Sequence, residues 1–249
     1  MITLNRNIPV MVAVSVLTLL GACATPGPGD VGEDGVFDPY EKNNRAVHEF
    51  NLEVDEFLFR PAATQFTRIV PDPVENMLLN FSDNLSEPGD AVNFLAQGQI
   101  GDAAISVGRF GFNTVFGFLG IFDAASEFNI PRTDTDFGET LHVWGVPEGA
   151  YVELPIFGPS TQRDAAGIFV DFFTNPLRLA PQNPVDDIGI YAKATEALTE
   201  RGRFVDTIDS ILYESADSYA QSRLIYLQTR RFELGEADAA AYIDPYMDP

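Results

Sequence analysis

One cysteine, one tryptophan and two histidines leave most metal and nucleophile chemistry without its parts in this chain of 249 residues. With Cys23 alone, no internal disulfide can form, even in a compartment that would permit one. A zinc site needs three or four His, Cys or carboxylate ligands, and His48 and His142 do not provide a core for one. No metal is expected. Basic residues are scarce too, at 15 Lys and Arg against 37 Asp and Glu, which gives a net charge of −22. Such a surface repels nucleic acid and anionic lipid, so no nucleic-acid partner is expected. Beyond the first two dozen residues, no segment reaches the roughly 20 apolar residues of a spanning helix. Strand signals are few, since Tyr151-Val152-Glu153-Leu154 alternates only briefly. Phosphate loops and dinucleotide fingerprints are absent, because Gly117-Phe118-Leu119-Gly120 has neither the spacing nor a preceding strand. No cofactor is expected.

The N-terminus, by contrast, is rich in signal. Arg6 forms a positive n-region, an apolar stretch runs from about Val10 to Leu20, and Leu20-Gly21-Ala22-Cys23 follows. This is the layout of a secretory signal, with small residues at the cleavage point. A signal that ends at a cysteine resembles a bacterial lipobox. The resemblance implies removal of residues 1–22 and acylation of Cys23 as the new N-terminus; the other reading is an ordinary signal cut after Ala22 or Ala24. Ala24 stands where an inner-membrane retention signal often places Asp, and by resemblance to known sorting rules this implies the outer membrane. Cleavage at Cys23 removes only Arg6 among the charged residues and leaves 227 residues, with 14 basic against 37 acidic side chains. Attachment to a membrane then rests on acyl chains and apolar side chains, and several chains hold where one binds only marginally.

Residues 23–37 form the acylated cysteine and a Gly-, Pro- and Asp-rich linker, with Ala24 to Phe37 reaching at most about 45–50 Å when extended. A domain over 38–235 follows, and its periodicity is mainly α. Asp38, Pro39 and Glu41 suit an N-cap, a first helical position and a capping box. Tyr40, Val47, Phe50, Val54 and Phe57 then mark one apolar stripe up to Arg60-Pro61. Asp72-Pro73 opens a second helix through Val74, Met77, Leu78, Phe81 and Leu85, and Pro88 opens a short third one that stops at Gly98. From about Asp186 to Leu234 the helical pattern continues with one interruption near Gly202. Gly235 ends it, and the acidic tail 236–249 is expected to be disordered. Between Gly145 and Pro184, frequent Gly and Pro predict loops and short helices.

The segment from Ala103 to Phe122 carries one charge, Arg109, and its last thirteen residues carry none and include five phenylalanines. Thirteen helical residues span about 20 Å, short of a bilayer core of about 30 Å. Gly108, Gly111, Gly117 and Gly120 each weaken a helix by roughly 1 kcal/mol against Ala. Two readings stand: a buried core hairpin, or a re-entrant or interfacial segment. Catalysis finds little support. Gly-x-Ser-x-Gly is absent, and a hydrolase would have to be assembled from Ser160, His142 and Asp164.

Taken together, the motifs are distinctive. Asp38-Pro39-Tyr40-Glu41, Asn44-Arg45 and Phe50-Asn51 open the domain, and Asn84-Leu85, Glu87-Pro88, Asn93 and Gln97-Gly98 follow. Arg109-Phe110, Asn113-Thr114, Gly117, Gly120 and Asp123-Ala124-Ala125 come next. Then come Asp136 to Leu141, Trp144-Gly145-Val146, Gly149-Ala150-Tyr151, Leu154-Pro155, Phe157 to Thr161 and Arg163 to Gly167. Tyr219, Arg223, Tyr226-Leu227-Gln228 and Arg230 close the series. Over residues 38–232 this pattern resembles the VacJ/MlaA family of outer-membrane lipoproteins, with Glu139 where Gln is common and Ala150 where Pro is usual.

The resemblance implies a non-enzymatic phospholipid transporter: a single helical ring-like domain with an apolar Gly/Phe-rich hairpin, embedded in one leaflet of the outer membrane and anchored on its periplasmic side. It implies phospholipids as cargo, an amphipathic channel, a trimeric porin beside it and a periplasmic phospholipid carrier protein as recipient. Lipid-path candidates are Arg109, Phe110, Phe112, Asn113, Phe116, Phe118 and Phe122. The other reading of Arg109 is a salt-bridge or helix-end residue, and Arg132, Arg163 and Asp164 are read as fold-forming contacts, the other reading being headgroup ligands. Tyr219, Arg223, Tyr226 and Arg230 share one helix face and are read as docking that helix within the ring, the other reading being partner binding. The alternatives are a structural envelope or porin-associated lipoprotein that moves no lipid, and a lipid hydrolase.

Overall fold

A computed structural model describes residues 26–27, 30–32, 35–177 and 185–236. The signal segment, Cys23 and all of the acidic tail except Glu236 lie outside the described residues. The domain is mainly helical. Its elements are α1 (Glu41–Val54), a π-helical turn (Asp55–Phe59), α2 (Arg60–Ile69), α3 (Asp72–Ala96), α4 (Ile100–Phe116), α5 (Ala124–Glu127) and α6 (Phe137–Val143). A small hairpin of β1 (Tyr151–Leu154) and β2 (Gly158–Thr161) leads to α7 (Gln162–Thr174), α8 (Val185–Arg203), α9 (Val205–Leu212) and α10 (Ser218–Glu233). β1 and β2 pair antiparallel with Tyr151 opposite Thr161. Among the described residues, no helix is long and apolar enough to cross a membrane.

Several sequence-based boundaries move. Asp38 does not cap α1, which has no side-chain cap. Its carboxylate instead accepts hydrogen bonds from Asn44 Nδ2 (2.8 Å), Arg223 (2.6 Å) and the Tyr219 hydroxyl. Pro61 does not end the first helical stretch. It falls at the start of α2, where a missing N–H is tolerated, after one π turn absorbs the change in register. That turn places Asp55 against Arg201, with two contacts of 2.8 Å. Pro88 does not open a new helix. It lies inside the 25-residue α3, whose buried side chains run from Glu75 to Phe94 across it. In the last third, Phe204 provides the break expected near Gly202, and residues 213–217 add a second. The linker is docked before its expected end: Val36 is buried against Tyr151, Tyr219 and Leu227, and the Tyr151 N–H donates to Phe37 O at 3.0 Å.

The interior is rich in polar side chains, and the surface carries many large apolar ones among its charges. Among the described residues, 19 buried side chains are polar or charged against 12 apolar ones, the reverse of an ordinary core. α4 shows this inversion most clearly. It buries Ala103, Ser106, Arg109 and Asn113 and turns Ile100, Val107, Val115 and Phe116 outward. Gly108 and Gly111 do not break it, because the inward polar side chains are tied to the rest of the fold while both glycines lie on the outward face. The break comes at Gly117. There the chain turns back through Phe118 and Leu119, both at positive φ, to Gly120 at +91°. A Cβ on Gly120 would stand 2.4 Å from Asn84 Cβ, so only glycine fits.

Side chains cap several helices. Asp123, Asp136, Thr161 and Asp217 accept from the backbone N–H groups that open α5, α6, α7 and α10. α6 and α7 cross closely enough that a Cβ on Gly167 would meet Gly138 N at 2.4 Å. Much of the family-like motif set is therefore scaffold.

Candidate functional site

Helix α3, the loop after α5, the β-hairpin, α7 and α8 line an open cavity of about 860 Å³. That volume is towards the upper end of the roughly 300–1,000 Å³ typical of small-molecule sites. Its two sides differ in chemistry. Leu154, Pro155 and Phe157 from the hairpin and Ala165, Ile168, Phe169 and Phe172 from α7 make an apolar wall. Phe169 and Phe172 both contact Phe173, with ring centroids 5.1 Å apart. Facing them are Ser86, Asp90 and Asn93 of α3, Arg132, Asp134 and Thr135 of the loop, and Lys193 and Glu196 of α8, with Asp171 also at the lining.

Most of the polar wall is internally paired. Arg132 contacts Asp83 and donates to Asp134 at 2.8 Å. Lys193 meets Glu196 at 2.9 Å, and Glu196 also accepts from Ser82 at 2.5 Å. Asp171 accepts from Asn93 and from the Phe137 N–H, both at 2.9 Å. Even so, burial pushes its carboxyl above the usual range. Burial, then the neighbouring Glu87 and Asp134, pushes Asp90 up to about 8. Burial likewise raises Asp83 and Glu200, on or beside this wall. The site can hold an apolar body on one side and a polar or cationic end on the other.

The seven lipid-path candidates stand outside this lining. Arg109 is 2 % exposed and donates to Glu87 (2.8 Å), Asp123 (3.0 Å) and the Ile130 carbonyl (2.6 Å). Asn113 donates to Asp123 at 3.0 Å and accepts from the Ala125 N–H at 2.7 Å. Both are thus engaged with the protein's own interior, the salt-bridge reading of Arg109. Phe110 and Phe112 are half-buried, and Phe112 packs on Phe116 and Phe128. Phe116, Phe118 and Phe122 are exposed, at 68 %, 76 % and 51 %. They form an outward apolar patch with Val115 and Leu119.

Arg132 belongs to the cavity wall, whereas Arg163 is buried at 1 % exposure. Asp164 is an organising centre. It accepts from the Thr161 hydroxyl (2.7 Å), the Tyr226 hydroxyl (2.8 Å) and Arg230 (3.2 Å), and the last of these also reaches Asp136 at 2.7 Å. Tyr219, Arg223, Tyr226 and Arg230 do share the inward face of α10. Ser160, His142 and Asp164 do not assemble into a hydrolytic triad. The Ser160 hydroxyl is buried and donates to Thr161 O, and the contacts of His142 run to Arg163 and Glu236. His48 bridges Glu153 and Ser218 inside the fold.

Sequence reasoning missed the cavity wall. Its signal was a second aromatic run, Phe169, Phe172 and Phe173 around the lone Asp171, next to the better-marked stretch at Phe110–Phe122.

Comparison with known proteins agrees with this architecture. Residues 36–233 match the family model of the MlaA lipoproteins. The "Intermembrane phospholipid transport system lipoprotein MlaA" of Escherichia coli strain K12 is 35% identical over 219 residues, covering 86% of this chain and 84% of that protein. The Haemophilus influenzae protein of the same name is 30% identical over 227 residues, covering 90% and 88%. A solved structure reported under "Structural basis for maintenance of bacterial outer membrane lipid asymmetry" superposes with a TM-score of 0.66 at 32% identity, over 79% of this chain and 98% of that one.

Proposed function

Because the chain belongs to the MlaA lipoprotein family, we propose that it removes mislocalised phospholipid from the outer leaflet of the outer membrane. In this reading it is an acylated lipoprotein held at Cys23 on the periplasmic side. Its cavity is the lipid path, and a periplasmic carrier protein receives the cargo beside a trimeric porin. No reaction is involved. The difficulty is physical: pulling one phospholipid into water exposes some 30 methylenes at about 0.8 kcal/mol each, above 20 kcal/mol in all. A continuous apolar surface removes most of that barrier.

The observation that carries the proposal is the two-sided cavity, with the aromatic face of α7 for acyl chains and the charged face of α3 and α8 for a headgroup. The inverted surface supports a seat in one leaflet. Apolar side chains such as Phe57, Val115, Phe116 and Phe118 face outward, and each is worth roughly 1.5–3 kcal/mol once removed from water. Phe116, Phe118 and Phe122 are assigned to that seat, while Arg109 and Asn113 hold the scaffold beneath it.

The double variant Phe169→Asp/Phe172→Asp tests the path. Both side chains are more than half exposed, so the fold should survive. Cells carrying it should accumulate outer-leaflet phospholipid, read by an outer-membrane phospholipase assay, while the protein still fractionates with the outer membrane. Wild-type clearance would favour a structural lipoprotein that moves no lipid.

A further inference from the structure

The polar wall of the cavity carries more carboxylates than cations, and two of them, Asp171 and Asp90, pair with no cation. Arg132 is engaged by Asp83 and Asp134, and Lys193 by Glu196. Asp171 is held by two neutral donors, Asn93 and the Phe137 N–H. Asp90 lines the same wall, and among the described residues no hydrogen bond or ion pair reaches its carboxylate. The nearby Glu87 accepts at Oε1 from Arg109 and adds to the negative potential around Asp90.

From this arrangement we infer that Asp90 makes the cavity selective for phospholipids whose headgroup ends in a protonated amine. The inference rests on the cavity being the lipid path. An ethanolamine headgroup brings an ammonium for Asp90 and a phosphate for the guanidinium of Arg132 on the same wall. A glycerol headgroup brings the phosphate charge without the ammonium, into a wall that is already net negative, so repulsion is uncompensated. Burial, then Glu87 and Asp134, raises the proton affinity of Asp90 although Arg132 and Lys193 pull it down, and an ammonium beside it would favour the carboxylate further.

The test uses the full-length protein in nanodiscs of equal phosphatidylethanolamine and phosphatidylglycerol with matched acyl chains. Bound lipid is quantified by mass spectrometry after repurification, and lipid retained by Phe169→Asp/Phe172→Asp is subtracted as cavity-independent. The expected result is about tenfold enrichment of phosphatidylethanolamine in wild type, the scale of one charge-assisted contact. Asp90→Asn should bring the ratio near unity, and Asp90→Glu, which keeps a carboxyl that an ammonium can ionise, should retain the preference. A ratio of one in wild type overturns the headgroup assignment but leaves the lipid path standing. A preference that survives in Asp90→Asn overturns the role of Asp90. Equal lipid in wild type and the charged-wall variant overturns the path and the selectivity together.

Discussion

Replacing Arg109 separates a scaffold residue from a lipid ligand. Its guanidinium is enclosed, with contacts to Glu87, Asp123, Ser126 and the Ile130 carbonyl. Arg109→Met would leave Glu87, only 4 % exposed at its side chain, as a buried carboxylate without its cation. Glu87 Oε2 already has no partner, and burial holds its carboxyl above the usual range against the pull of Arg109. Removing one member of such a pair costs about 3–5 kcal/mol. For a domain of this size, at roughly 2–4 °C per kcal/mol, the melting temperature should fall by about 6–20 °C. The assay is thermal unfolding of the detergent-solubilised protein, followed by far-UV circular dichroism. Arg109→Met/Glu87→Leu should recover much of the loss, since it removes both charges and keeps the volume. A variant that melts within about 2 °C of wild type but fails to clear lipid would refute the scaffold assignment and return Arg109 to the path.

Other consequences are equally direct. Asp90 binds its proton more tightly folded than unfolded, so the folded state holds protons that the unfolded chain releases between about pH 4 and pH 8. Stability therefore falls as pH rises through that window, with Asp83, Asp171 and Glu200 shifted the same way. Melting curves at pH 5 and 8.5 should show a smaller difference for Asp90→Asn than for wild type. Phe116→Asp and Phe118→Asp act on the outward patch, where both side chains are exposed. Each should leave the melting temperature nearly unchanged but weaken liposome flotation and leave outer-leaflet phospholipid uncleared. Full clearance by both would remove the patch from the account.

Much of the helical plan was legible because caps and apolar periodicity are local signals. Gly235 and the Tyr219–Arg230 face both behave as their spacing predicts. Local signals failed where tertiary partners override them. Asp38 gives up a cap for Arg223 and Tyr219, and Pro88 is carried through α3 by buried side chains on both sides of it. Pro61 is accommodated by a π turn that also aligns Asp55 with Arg201. The site was harder for a related reason. Hydrophobicity marks Phe110–Phe122 strongly, but in a fold with a polar interior an apolar run points to the outside. Arg109 and Asn113, the polar members of that run, consequently face inward. The cavity draws on α3, the loop after α5, the hairpin, α7 and α8, and no single window of sequence brings those together.

The central claim, that phospholipid passes through the cavity, is tested most directly by site-specific photo-crosslinking in cells. A benzophenone amino acid placed at Phe172 on the cavity wall, or at Glu49 on the exposed face of α1, would be irradiated and the purified protein analysed by mass spectrometry. The account predicts intact phospholipid covalently attached at Phe172 and none at Glu49. Absence of any phospholipid adduct at Phe172, with the protein folded and in the outer membrane, would contradict it.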